Sequence, residues 1–248
     1  MKPRRHKPSR VVMQTRQEGM GPEVLDYYPT PPWAARAFAE LIRALDPAPG
    51  LIAVDGAAGG GHFAHGLADF FDQVLVADIF DHRARPTPAV LADYLAPDWP
   101  ALVGEADWHA TNPPFKVADD FARLGWKRAR RGVALLCRLS FLETIDRYAL
   151  LYGDHKLAVC APFMERVPMH KGRWEPDGDT TTAYAGFVWL KPPALATSPF
   201  RHVIESCWAH GGALTLPIAP GAKLRHHRRE DVELFCSPGP APLLERLL

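Results

Sequence analysis

Asn112-Pro113-Pro114-Phe115, closing the run Asp107-Trp108-His109-Ala110-Thr111, sets an amide, two rings without N–H groups and an aromatic face side by side. Those residue types suit the demanding chemistry of holding a ring-conjugated amine while it attacks an electrophile. Such an amine is a poor nucleophile because its lone pair is delocalised. A side-chain amide oxygen and a main-chain carbonyl can accept both of its N–H groups and draw the nitrogen toward a tetrahedral shape. Prolines stiffen the turn and remove competing donors, and an aromatic ring stacks on a base. Asn112, the Pro113 carbonyl and Phe115 would fill those roles, with Pro114 as the second stiffening ring. An Asn-Pro turn that merely ends a strand has the same letters, so the surrounding chain must decide.

A second constellation lies upstream. Leu51-Ile52-Ala53-Val54-Asp55 reads as a buried strand and runs into Gly56-Ala57-Ala58-Gly59-Gly60-Gly61. Strand, glycine turn and helix bring backbone close to a nucleotide-like ligand, and glycine supplies the φ and the space that a Cβ would deny. Asp78 ends the next strand at roughly the 20-residue spacing from which a carboxylate can take both hydroxyls of a ribose. NAD is therefore one candidate ligand. Against it, Asp55 stands where a carboxylate would repel a pyrophosphate, and Gly59-Gly60-Gly61 lacks the separated G-x-G-x-x-G spacing.

The elements that must position these groups follow from periodicity. A helix is predicted from Thr30, with Thr30 as N-cap, Pro31 in the first turn, and Ala34, Ala37, Phe38, Leu41, Ile42 and Leu45 on one face. A helix from His62 to about Phe71 and a strand over Val74–Ala77 complete a β-turn-α-β unit. Residues 81–106, with prolines at 86, 88, 97 and 100, offer no convincing strand. A strand then passes through Trp108 into the tetrad. Further on come a helix over about 117–129, a strand over 132–136, a helix over about 141–152, a strand over 156–161, a long loop over 165–182 and a last strand over 185–190. That alternation predicts an open α/β sheet, doubly wound and mostly parallel, with its final strand antiparallel.

The chain has 248 residues, of which 47% are hydrophobic. That suffices for one sizeable core with an appendage. Three regions are expected: a basic, flexible arm at 1–26, a main domain at 27–190, and an irregular extension at 191–248. Lys+Arg (29) and Asp+Glu (28) balance, so no overall polyanion signal exists. The basic residues are nevertheless clustered: Lys2, Arg4, Arg5, Lys7, Arg10 and Arg16; Lys127, Arg128, Arg130 and Arg131; Lys223, Arg225, Arg228 and Arg229. Patches of this kind suit phosphates, and a solvated tail is the plainer reading of the first. Cys137, Cys160, Cys207 and Cys236 form no close pair, as expected of reduced thiols. No stretch approaches a membrane span. A soluble, cytoplasmic protein is expected.

Taken in order, three segments resemble S-adenosylmethionine-dependent DNA amino-methyltransferases, above all the bacteriophage and prophage N6-adenine enzymes. They are Asp26-Tyr27-Tyr28-Pro29-Thr30-Pro31-Pro32-Trp33, then Val54 to Phe63, then Asn112 to Phe115. Glu165 to Trp174 and Thr181-Thr182-Ala183-Tyr184 also look like phage members. The resemblance covers about residues 20–190 and implies a Rossmann-like, seven-stranded class I methyltransferase fold. It also implies that Tyr28, Thr30 and Pro31 line the cofactor pocket, that Asp55, Ala57 and Gly59 hold the methionine part, and that Asp78 holds the ribose. Gly56 and Ala58 depart from the family pattern, where proline and then cysteine or glycine are usual. The acid that contacts the cofactor adenine has no firm counterpart, and Asp93 is the best candidate. Asn112, Pro113, Pro114 and Phe115 would be the catalytic tetrad, acting on an adenine flipped out of DNA. The same tetrad serves cytosine N4, guanine N2 in RNA and glutamine amides in proteins. A catalytically inactive nucleic-acid-binding protein of this fold is a further alternative.

Other residues carry weaker signals. Lys116 follows the tetrad and could touch a phosphate. Lys171, Arg173 and Trp174 combine charge with an aromatic ring in one loop, which suits a nucleic-acid strand with an extruded base; a structural loop with Trp174 tucked against the sheet is the second reading. Tyr184 could line the base pocket or simply pack. His62 and His65 straddle the helix start after the glycines, where a helix face at the cofactor pocket is one reading and surface or packing histidines the favoured one. His202, Cys207, His210, His226, His227 and Cys236 match no standard zinc spacing, so no metal is expected.

Overall fold

The computed structural model describes residues 26–153 and 155–236. The expected arm at 1–26, apart from Asp26, and residues 237–248 lie outside the described residues. Helix α1 (Pro32–Leu45) carries Trp33, Phe38, Ile42 and Leu45 as a buried stripe. Its N-cap is Pro31, whose carbonyl receives the Ala34 and Ala35 amides. Thr30 is therefore not the cap: its hydroxyl accepts a hydrogen bond from Asn112 instead.

Strand β1 (Ile52–Asp55), helix α2 (His62–Leu67) and strand β2 (Gln73–Asp78) form the expected unit. Helix α2 stops short of Phe71, and the chain tightens there into an i→i−3 bond from the Phe70 amide to the Leu67 carbonyl. The proline-rich stretch holds a strand after all, the two-residue β3 (Val90–Leu91). Next come α3 (Trp99–Val103), β4 (Trp108–Thr111), a 3-10 turn (Phe115–Val117), α4 (Ala118–Arg128) and β5 (Gly132–Arg138). They are followed by α5 (Ile145–Tyr152), β6 (Val159–Pro162) and β7 (Tyr184–Leu190).

From residue 191 an irregular chain is expected, whereas its described residues form α6 (Pro192–Thr197), α7 (Arg201–Ala209), β8 (Leu214–Thr215), α8 (Ala222–His226) and α9 (Arg229–Cys236). Short proline- and glycine-punctuated elements of this kind leave little periodicity to read.

The sheet order is β3-β2-β1-β4-β5-β7-β6-β8, with eight strands where the resemblance implied seven. Strand β7 runs antiparallel to both β5 and β6, as expected, and the other pairings are parallel. The added strand β8 lies along the β6 edge, where the Leu214 and Leu216 amides reach the Ala158 and Cys160 carbonyls.

Both faces of the sheet are covered, as burial of near-continuous apolar strands requires. Ala134 and Leu136 of β5 join α1 and α2 in one cluster. Val133 and Leu135 join Trp99, Phe121 and Leu150 in the other. Asp46, fully buried after α1, ties the layers together by accepting from Trp108 Nε1 at 2.9 Å and from two Arg131 nitrogens at 2.7 Å. Strand order reverses between β1 and β4. In open α/β sheets the crevice beyond the carboxyl ends of such strands is where ligands bind, and here those ends lead to Asp55 and Asn112.

Candidate active site

A cleft of about 270 Å³ opens at that reversal. Its walls come from three segments: Asp26 to Thr30 before α1, the glycine turn with Asp78 and His82, and Asn112 and Pro114 of the tetrad with Lys116, while Pro113 and Phe115 stand outside the lining. On the glycine side the backbone is held by the neighbouring strand. Gly59 donates to Asp78 Oδ2 at 2.8 Å, and Phe80 donates to Asp78 Oδ1 at 2.9 Å. Burial raises the Asp78 carboxyl, and these hydrogen bonds oppose the rise. Gly59 (φ +54) and Gly61 (φ +89) adopt left-handed backbone that L side chains rarely take. A Cβ on Gly59 would come within 2.3 Å of the Tyr27 ring. The space over the turn is thus shared with a side chain of the protein itself. Tyr27 also accepts from Gly60 N at 3.1 Å and lies against His82 with ring centroids 4.4 Å apart. Burial pushes its phenol up to about 12.

Asp55 is completely buried and is not among the cleft-lining residues. Thr111 Oγ1 donates to its Oδ1 at 2.6 Å, and its Oδ2 has no hydrogen-bond partner. Burial pushes this carboxyl up to about 7 against the pull of Thr111 and of the Ala57 amide.

On the tetrad side, the Asn112 amide is fixed by its nitrogen. Nδ2 donates to the Tyr28 carbonyl at 3.0 Å, to Thr30 Oγ1 at 3.0 Å and toward Met169 Sδ at 3.5 Å. The carbonyl can only accept, so the amide orientation is determined. Oδ1, on the opposite side, is buried and has no partner. Such an atom costs about 1–3 kcal/mol unless a donor arrives. Pro113 is buried, and Pro114 caps the 3-10 turn and lines the cleft. Phe115 is anchored by its amide, which donates to Asp26 Oδ2 at 3.0 Å. Its ring has Tyr28 at 5.6 Å and Tyr184 at 6.4 Å, and the Arg138 guanidinium stands 4.4 Å from the ring centre.

Of the residues assigned to the cofactor, Tyr28, Thr30, Ala57, Gly59 and Asp78 line the cleft, while Pro31, Asp55 and Asp93 do not. Asp93 follows β3, is buried, and turns its carboxylate onto the Leu95 amide at 2.9 Å. Lys116 is exposed at the cleft, and Lys171 is exposed at a neighbouring depression that shares Tyr27 and His82. Arg173 is exposed and paired with Glu175. Trp174 is not free to stack on a base: it is 7% exposed and packs edge-on to His62. Tyr184 is likewise buried.

The two basic clusters among the described residues are largely engaged. Arg128 lies over the Tyr94 and Trp99 rings, Arg130 pairs with Asp107, and Arg131 with Asp46. Arg225 meets Glu40, Arg228 meets Asp69, and Arg229 meets Glu233. Among the described residues no group of His, Cys, Asp or Glu is arranged to hold a metal ion. The cleft is also lined by Tyr27, His62 and His82, which were not among the residues assigned to it from the sequence, and Met169 supports Asn112 from behind. The double tyrosine of Tyr27-Tyr28 was a usable signal, whereas Met169 reaches Asn112 only through the fold.

No family model and no curated protein matches the chain. Among solved structures, a protein from Pyrococcus horikoshii described as an RNA methyltransferase aligns with 73% of this chain and 97% of its own, at 14% identity and a TM-score of 0.51. A type I restriction-modification methyltransferase subunit from Streptococcus thermophilus aligns with 74% of this chain and 48% of its own, at 13% identity and a TM-score of 0.48. This chain therefore spans about half the length of that subunit. Magnesium protoporphyrin IX methyltransferase from Synechocystis, solved with bound S-adenosylmethionine, aligns with 64% of this chain and 80% of its own, at 14% identity and a TM-score of 0.44. The fold is that of a Rossmann-like class I methyltransferase.

Proposed function

We propose that this protein is an S-adenosylmethionine-dependent methyltransferase acting on an exocyclic amine, with N6 of adenine in DNA as the substrate. The observation that carries the reading is the Asn112 amide: its nitrogen is used up inside the protein and its oxygen is left without a donor, beside a glycine turn closed by Asp78. The residues present fit the cofactor. The Asp78 oxygens accept one backbone amide each and keep lone pairs for ribose hydroxyls, whereas the buried, unpartnered Asp55 Oδ2 stands behind the cleft wall and would reach an ammonium through a bridging water. When bound, S-adenosylmethionine supplies an electrophilic methyl group that needs no nucleophilic side chain.

The chain's own contribution is then alignment and charge stabilisation. Asn112 Oδ1 and the Pro113 carbonyl would accept the two N–H groups of the target amine, and Phe115 would carry the base. Lys116 and Lys171, exposed beside the cleft, suit flanking phosphates. The choice of DNA adenine is supported by the phage-like segments. A second reading, an RNA base or a protein glutamine amide, is favoured by the internal pairing of Arg131, Arg225 and Arg228 among the described residues, which lessens a duplex footprint there.

Incubation with labelled S-adenosylmethionine and unmethylated DNA, RNA or protein, followed by digestion, separates these outcomes. Label recovered as N6-methyladenine from DNA is the expected result. Label in RNA or protein alone would move the substrate to the second reading, and label in none of them would sink the methyltransferase reading.

A further inference from the structure

Beside the glycine turn stands a buried imidazole that the reaction above leaves unused. His62, the first residue of α2, lines the cleft and is 7% exposed, and its Nδ1 has no hydrogen-bond partner. A histidine that simply packs would be expected to have satisfied its polar atoms. Its position is informative. The point that a Cβ on Gly60 would occupy lies 3.2 Å from His62 Nδ1 and 2.6 Å from Tyr27 Oη. Two polar tips thus converge over the turn. Ala57, whose amide lies 3.4 Å from Asp55 Oδ1, lines the same cleft as His62. A cation held by Asp55 and an anion held by His62 would therefore be close neighbours, which is the charge pattern of an amino acid's own ammonium and carboxylate.

The imidazole is clamped from the far end of the chain. Phe235 of α9 stacks on it with centroids 4.0 Å apart and planes 22° apart, and Trp174 meets it edge-on. Helix α9 is itself anchored: Asp231 accepts from Arg36 Nη2 at 2.8 Å and pairs with His65 at 3.0 Å, with Arg36 completely buried. Burial keeps His62 neutral by lowering it to about 3, so it would serve as an N–H donor and not as a cation.

We infer that His62, held by Phe235, donates through Nδ1–H to the carboxylate of the cofactor's amino-acid end, and that α9 belongs to the cofactor site. This rests on the methyltransferase reading above. Calorimetric titration of the intact protein with S-adenosylhomocysteine and with 5′-methylthioadenosine, which lacks the amino-acid end, tests it. His62→Phe keeps the stacking and removes the donor. It should weaken S-adenosylhomocysteine at least tenfold and change methylthioadenosine less than twofold. His62→Asn, which restores an N–H donor at the same depth, should recover most of the loss. Phe235→Ala should show the same selective loss at three- to tenfold, with the Arg36–Asp231 pair left in place. Should His62→Phe fold poorly, the Asn and Phe235 variants still decide. Equal loss of both ligands, or no loss, overturns the inference. A wild-type protein that binds neither ligand overturns the methyltransferase reading itself.

Discussion

The two sides of the cleft are built differently. The glycine side has a local frame: β1, the turn and β2 lie consecutively in the chain and are joined through Asp78, with Tyr27 and Phe235 reaching it from outside that unit. The tetrad side is assembled from afar. Asn112 is set by Tyr28 and Thr30 before α1 and by Met169 in the long loop, and Phe115 by Asp26. A local frame depends chiefly on its own unit, whereas a composite side requires distant segments to be in register. Ligand binding and chemistry should therefore be separable by mutation.

The largest expected effect tests that separation directly. Asn112→Ala should lower methyl transfer by about 100-fold or more, the scale for one lost transition-state acceptor, while S-adenosylhomocysteine affinity stays within about threefold. Single-turnover assays and calorimetry on the same preparation check it, and parallel loss of both would collapse the distinction. Asp78→Ala should act on the other side. It removes a carboxylate that holds both Gly59 and Phe80, so cofactor affinity should fall by roughly 10- to 100-fold and the melting temperature should drop with it.

A pH experiment sharpens the contrast further. Asp55 titrates at about 7 in the folded chain against an ordinary 3.8. The folded state therefore keeps a proton that the unfolded chain has released between about pH 4 and 7. The stability Asp55 contributes is complete below pH 4 and is lost as pH rises to 7. Capture of an ammonium needs the ionised form, so cofactor affinity should rise between pH 6 and 8, and Asp55→Asn should flatten that rise. Titration across this range in several buffers also counts the released proton. The smallest effect belongs to the surface arginines. Arg228→Ala breaks a half-exposed pair with Asp69 and should leave DNA affinity unchanged while moving the melting temperature by a degree or so. A clear drop in DNA affinity would return the C-terminal basic cluster to the substrate interface.

What could be read from the sequence divides along the same line. The β1–turn–α2–β2 unit and the tetrad are short, contiguous and strongly patterned, so their elements and much of the cleft wall were legible. So was the antiparallel β7, a long apolar run of Tyr184–Leu190. The two-residue β3 and β8 were not, because so few residues carry no period. Trp174 illustrates the other limit. An aromatic among cations suggests a stacking platform, yet its burial is decided by His62 and Phe235, which no local window brings together. Arginine clusters mislead for a related reason, since their partners Glu40, Asp69 and Asp46 are distant in sequence.

Strand β8 has a consequence beyond its length. Val159–Pro162 is an apolar strand whose outer edge would present free main-chain groups if Leu214–Thr215 and the bridge from Phe163 to Ile218 were peeled away. Unpaired strand edges recruit other chains. Damage to the stretch after residue 191 should accordingly show first as self-association, with turbidity and loss of soluble protein preceding any loss of helical signal.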